Sequence, residues 1–364
     1  MIRLRRGAVT AVGEARPGLL ELTVSLEGRE EPAIAYPDLT GGVSVGDTGL
    51  VNMTAVALGL GTGGVHFVIG VEGREAGDEL TGHVMKARYT PMQTAVRAVE
   101  ETDRDVLEAS DGLEGTPVVC APLHSMIAPA AAAARVAGAR RVVYVMTDGA
   151  ALPGAFSGLV DSLRRTGVLD GWITCGHAFG GELEAVTIWT ALLAAKELLR
   201  ADVIVVADGP GNLGTDTTWG VTALTGGHAL NAATALGGLP VPALRVSFAD
   251  ERQRHRGLSH HSVTILRDVC TVACDVPVPT LEDGEQRAAV WDALRAAGLE
   301  ERHHLVEVDG RPGIAGLDEH AVEVRSMGRG PAEDPAFFLA AGAAGVLAGR
   351  MAARTRRWRS QLDD

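Results

Sequence analysis

Strand-length apolar runs that do not alternate with polar residues constrain this chain more than any other feature. VVYVM (Val142 to Met146) and VIVVA (Val203 to Ala207) are apolar throughout. A half-buried strand alternates; a strand covered on both faces does not, and helices lying on both faces of a parallel sheet give that situation. Each run is followed by a segment of helical periodicity. Strands are expected at Thr116 to Ala121, Arg141 to Met146, Trp172 to Cys175, Asp202 to Ala207 and Ala243 to Phe248. Helices are placed at Pro129 to Gly138, Phe156 to Thr166, Glu182 to Leu199, Thr218 to Leu236 and His261 to Cys270. A helix at Gly284 to Ala297, strands at His304 to Val308 and Val322 to Arg325, and a helix at Pro335 to Ala352 complete the pattern. Repeated β-then-α order predicts an α/β fold with a doubly wound, mostly parallel, Rossmann-like sheet.

The start of the chain differs. Short alternating runs (Gly7 to Val12, Leu19 to Leu26, Ala33 to Tyr36, Gly49 to Met53, Val65 to Val71) are separated by turns such as Val45-Gly46-Asp47. They predict a small all-β barrel-like domain over residues 1–85, followed by the α/β domain over 86–364. At 364 residues the length suits two domains.

The formal charge of −13 opposes a nucleic-acid or anionic-membrane partner, since both require a basic face. Four cysteines, Cys120, Cys175, Cys270 and Cys274, are too scattered for a disulfide framework, and the last two lack zinc-ligand CxxC spacing. Cys120 and Cys175 sit in apolar runs and read as buried thiols. The opening MIRLRRGAVTAV has no apolar core of a signal peptide, and Ala336 to Gly349 is short for a bilayer span, so the cytoplasm is the expected location.

In open α/β sheets ligands bind beyond the carboxyl ends of strands. Five expected strand ends carry polar residues: His124 with Ser125; Asp148; His177 followed by Gly180-Gly181-Glu182; Asp208 through Asp216; and Asp250, followed by Ser259-His260-His261-Ser262. Aspartate and serine in such places are often only caps for the next helix, but histidine is a weaker cap. The clustering predicts one shared crevice. His177 or His260 would be general acid/base or metal ligand, with His261 and His124 beside them. Asp148, Asp208 and Asp216 would orient a histidine, bind a cation or hold substrate hydroxyls. A divalent metal ion fits this set, although no HxxxH or HxH spacing demands one.

Two loops match GxGxxG. Gly59 to Gly64 precedes a β run and reads as a turn. In the second, Gly209, Gly211, Asn212 and Gly214 follow a strand and precede a helix, and their backbone N–H groups suit an anionic or carbonyl oxygen. Asp208 and Asp216 flank that loop and would repel a dinucleotide's pyrophosphate. Gly42-Val43-Ser44-Val45-Gly46 has the GxSxG pattern, but it lies among the short β runs and turns of the start rather than on a strand-to-helix turn, so it is no nucleophile elbow. The arginines of Arg350 to Arg359 suit a helix C-terminus, and His303, His304 and His320 read as surface residues.

The segments GHVMKARYTPMQ (Gly82 to Gln93), APLHSM (Ala121 to Met126), ADGPGNLGTDTTWG (Ala207 to Gly220), GLSHHSVT (Gly257 to Thr264) and VRSMGRGPAEDPAFFLAAGAAG (Val324 to Gly345), with Gly176-His177 and Gly180-Gly181-Glu182, resemble the domain of unknown function 3866 family. The resemblance spans nearly the whole chain. It implies that these strand-end segments belong together and carries over no catalytic residue. The expected function is therefore an enzyme on a small polar or phosphorylated metabolite, by His/Asp acid-base or metal-assisted chemistry. The alternatives are a non-catalytic small-ligand-binding or scaffold protein, or a nucleotide-binding protein. A small-molecule ligand is the expected partner, and self-association into a homo-oligomer is compatible with the sequence.

Overall fold

A computed structural model describes residues 2–61, 63–74 and 82–362. The chain divides into two compact units, Met1–Arg97 and Ala98–Asp364. The segment around His83 to Pro91, where the sequence changes character, falls in the first.

The first unit is a closed five-stranded barrel in the order β1 (Leu4–Arg16), β2 (Leu19–Leu26), β3 (Arg29–Ala35), β5 (His66–Val71), β4 (Thr48–Asn52). Every pairing is antiparallel except β3 with β5. Alternation decides which residues face in: Leu22, Val24 and Leu26 of β2 are buried with Val9, Val51 and Val68. Register shifts in β1 between Val9 and Ala11 and between Val12 and Ala15 give the long strand the curvature that closure needs. Short helices α1 (Pro37–Thr40) and α2 (Thr54–Ala57) and a hairpin of β6 (Val84–Lys86) with β7 (Thr94–Val96) complete this unit. Thr62 of the first glycine loop lies outside the described residues.

After short helices α3 (Val99–Thr102) and α4 (Arg104–Glu108), the second unit builds a six-stranded sheet. Its order is β11 (Leu183–Ala185), β10 (Gly171–Cys175), β9 (Val142–Thr147), β12 (Val203–Asp208), β8 (Pro117–Cys120), β13 (Leu239–Pro242), and all neighbours are parallel. Every residue of β9 and β12 is buried, as their continuous apolarity requires. Val119, Tyr144 and Val205 join α5 (Ile127–Val136) in one core; Val118, Val143 and Ile204 join α7 (Ile188–Glu197) and α8 (Thr225–Ala235) in the other. The helices that follow the adjacent strands β8 and β12 therefore leave on opposite faces, which opens a crevice beyond those two strand ends.

Three expected elements are corrected. The strand expected at Ala243 to Phe248 is displaced upstream to β13, disguised by Pro240 and Pro242. Proline cannot donate to a ladder, but β13 is an edge strand with a neighbour on one side only. The helix expected from Glu182 begins only at Ile188, because Leu183 to Ala185 pair with β10 and Thr187 then caps α7 through the Thr190 N–H at 3.3 Å. Val322 to Arg325 form no strand; the chain there makes only a bridge between Ser326 and Arg329.

Beyond the sheet lie a short ribbon of β14 (Val246–Ser247) with β15 (Gly257–Leu258), then α9 (His260–Thr264) running into a π-helical turn (Ile265–Val269). A βαβ unit of β16 (Asp275–Pro279), α10 (Gly284–Ala296) and β17 (His304–Val308) follows, then α11 (Arg311–Glu319) and α12 (Pro335–Leu362). By length and composition Pro335–Trp358 is apolar enough to cross a membrane, longer than the sequence reading allowed. Its most apolar window is 72% buried within the protein, as in a core helix. Small residues explain the burial: a Cβ at Gly345 would run into the Ala130 carbonyl, so glycine is what lets α12 lie against α5.

Candidate functional site

The strand-end residues separate into two groups. Asp208, at the end of β12, is only 3% exposed. Its carboxylate accepts from Thr147 Oγ1 (2.6 Å), Asn212 Nδ2 (2.8 Å), Thr225 Oγ1 (2.9 Å) and the Gly149 N–H (3.2 Å). Four donors from three segments of the chain hold it, three on Oδ1 and one on Oδ2. Burial pushes its pKa upward, against the pull of those donors. His124 has a partner on each ring nitrogen: Nδ1 lies 3.1 Å from the Asp208 carbonyl oxygen and Nε2 lies 2.6 Å from Ser157 Oγ. Burial brings its pKa down to about 4. Ser157 also caps α6 (Gly158–Arg165) by accepting from the Val160 N–H at 3.1 Å. Asp148 accepts the backbone N–H of His177 at 2.7 Å.

The crevice itself is a cleft of about 470 Å³ over the ends of β8 and β12. Leu123 to Ser125 and Pro210 to Gly214 form part of its wall; Arg245, Arg252, Arg254, Arg325, His255 and His261 supply its charge and its imidazoles. A larger cavity of about 690 Å³ lies at the opposite end of the sheet, around Thr116, Pro117 and Asp202 at the strand starts. Strand-end geometry favours the smaller one for ligand chemistry.

Local structure brings the histidines together. The 3₁₀ turn Gln253–His255 is followed by Gly257, whose φ of +74° reverses the chain into β15 at little steric cost. Ser259 then caps α9: its Oγ accepts from the His261 N–H at 3.3 Å and lies 2.8 Å from His255 Nδ1. The rings of His255, His260 and His261 stand 4.2 to 5.2 Å apart by centroid. His255 and His261 are buried and His260 half-buried. The Nε2 atoms of His260 and His261 are buried and make no hydrogen bond.

Arginines set the electrostatics. Arg245 is buried and bonds Asp250 at 3.1 Å, and Arg252 bonds the same carboxylate at 2.9 Å. Burial brings Arg245 down to about 10, still cationic at neutral pH. Burial raises Asp250's pKa, but Arg252 and Arg245 together hold it well below the usual carboxylate range. Burial, then the positive charge of Arg245 and the proximity of His261, bring His255 to about 3. His261 lies at about 4 by burial, His260 and Arg245, and His260 is lowered by burial, Arg254 and Arg245. Three neutral imidazoles thus sit beside arginines at pH 7.

Of the residues expected to act, His124, Gly211, Asn212, Gly214 and His261 line the cleft; His177, Asp148, Asp208 and Gly209 do not. His260 adjoins it through its contact with His261. Asp216 is exposed and pairs with Arg254 at 2.6 Å. The helix expected directly after the second glycine loop starts only at Thr225, beyond a 3₁₀ turn at Thr222–Leu224, so no helix N-terminus lies under Gly209 to Gly214. His303, expected at the surface, is buried: its Nδ1 accepts the Cys274 N–H (3.3 Å), and Nε2 lies 3.0 Å from the Leu266 carbonyl oxygen. The sequence reading missed His255 and the arginines around it, although RQRHRGLSHH places them in one short segment.

A model of the family described as a protein of unknown function, domain of unknown function 3866, matches residues 32–345. The chain belongs to that family. The match begins inside β3, so β1 and β2 lie outside it, while the whole sheet, the cleft and the histidine cluster of this domain of unknown function 3866 protein lie within it. No curated protein matches the chain.

Proposed function

We propose that this protein is an enzyme acting on a small anionic metabolite, one carrying a phosphate or carboxylate group, bound in the cleft beyond β8 and β12. The observation that carries this reading is the lining: four arginines and three histidines, with no carboxylate among the described residues, in a chain whose formal charge is −13. An anion entering there meets Arg325 and the outer edge of Arg252 on the wall. Arg245 and Arg252 share the single charge of Asp250, and Arg254 is partly offset by Asp216. Partial desolvation strengthens such charge-assisted hydrogen bonds.

A non-catalytic anion-binding protein is the second reading. His124 and Asp208, two of the groups suited to acid-base work, already spend their hydrogen bonds holding loops together. Calorimetry with inorganic phosphate, pyrophosphate and a dicarboxylate separates the outcomes. Binding by the wild type that weakens about tenfold in Arg252→Ala, a loss of about 1.4 kcal/mol, supports the cleft. Phosphate release from a panel of phosphomonoesters, or its absence, decides between enzyme and binder. No heat with any anion would overturn both readings.

A further inference from the structure

We infer that His255, His260 and His261 form a three-histidine site for a divalent transition-metal ion at the wall of this cleft. Each ring offers one nitrogen, and the three ligand atoms lie within 4.8 Å of one another. A tetrahedral ion with metal–nitrogen bonds of about 2.0–2.1 Å holds its ligands about 3.4 Å apart, so small side-chain rotations close the set.

The cluster is difficult to explain as packing alone. A buried polar atom without a partner is destabilising, and this one cluster holds two of them, the Nε2 atoms of His260 and His261. Ring nitrogens converging without donors between them are the arrangement a cation satisfies. The outer partner is also in place. Ser259 Oγ can accept from His255 Nδ1–H as well as from the His261 N–H, which leaves the lone pair of His255 on Nε2. Metal-bound histidines are commonly oriented through their other ring nitrogen in this way.

Imidazole donors suit zinc, cobalt, nickel or copper better than magnesium or calcium. Three protein ligands leave a coordination position for water or substrate, the pattern of catalytic rather than structural sites. His255 and His261 both line the cleft, so an ion between them is reached from it. Neutral imidazoles ligate without losing a proton first, and burial with the neighbouring arginines keeps all three neutral at pH 7. The same arginines repel a cation, so affinity is expected to rise when an anion occupies the cleft. That coupling rests on the anion reading above; the metal site itself does not.

The full chain, stripped with chelator, is titrated with Co²⁺ and followed by visible absorption. One equivalent should produce a ligand-field band, with affinity about tenfold or more weaker in His255→Ala, His260→Ala and His261→Ala and unchanged in His177→Ala. His260, half-buried and without a ring hydrogen bond, supplies the variant safest for the fold. A folded wild type that takes up no Co²⁺, or equal uptake by all three variants, overturns the site. Phosphate calorimetry on the stripped protein keeps the two proposals apart. Phosphate binding without Co²⁺ uptake ends the metal inference alone; Co²⁺ uptake without anion binding ends the anion reading alone.

Discussion

The polar groups at the ends of β8, β9 and β12 and those beyond β13 occupy the same end of one sheet, yet their hydrogen bonding is opposite. The Asp208 carboxylate holds four donors, three on Oδ1 and one on Oδ2, and His124 has a partner on each ring nitrogen. Around His261 two imidazole nitrogens are buried and unpartnered, with cations alongside. The first group spends its polarity on the fold, and the second holds it in reserve. A strand-end position therefore identifies candidates, while unspent hydrogen-bonding capacity distinguishes a binding site from a knot.

This contrast predicts graded effects on stability. Asp208→Ala should cost the most, about 3 kcal/mol in urea unfolding, because it leaves four donors from three segments of the chain without an acceptor. Ser157→Ala should cost about 2 kcal/mol, through a lost cap and an unpartnered His124 Nε2. His260→Ala should stay within about 1 kcal/mol of wild type, since its Nε2 makes no hydrogen bond to lose. A His260→Ala variant as unstable as Asp208→Ala would erase the distinction between the two regions.

Acidification sharpens the comparison from another side. His124, His255 and His261 are held at about 4, 3 and 4, below the ordinary histidine value near 6.5. Between those limits the unfolded chain binds more protons than the folded one, so stability falls as pH drops from about 6.5 toward 4. Unfolding free energies at pH 7.5, 6 and 5 should decline in that order. Phosphate in the cleft should lessen the decline through its attraction for protonated His261; an equal decline with and without phosphate would detach His261 from the anion site.

Much of the architecture was legible because burial on both faces imposes an unmistakable pattern. VVYVM and VIVVA can only be covered strands, and the alternation of β2 can only be a half-exposed one. The elements that misled were those where tertiary pairing overrode local preference. β13 carries two prolines that an edge tolerates, and β11 was taken from the front of a helix by pairing with β10. The candidate site was legible as a place: His124, Gly211, Asn212, Gly214 and His261 do meet in one cleft. That His177 and Asp148 fall outside its lining followed from strand order, which no local pattern encodes.

The sequence by itself determined the class of fold, because periodicity and apolarity are local properties summed along the chain. It also determined that histidines and glycines gather at the carboxyl ends of strands. Only the tertiary structure decided which of them keep an unspent nitrogen, since that depends on donors from distant segments: Thr147, Thr225 and Asn212 reach Asp208, and none reaches the Nε2 atoms of His260 and His261. Hydrogen bonds saturate, and whether a group is saturated is a property of its neighbours in space rather than of its neighbours in sequence.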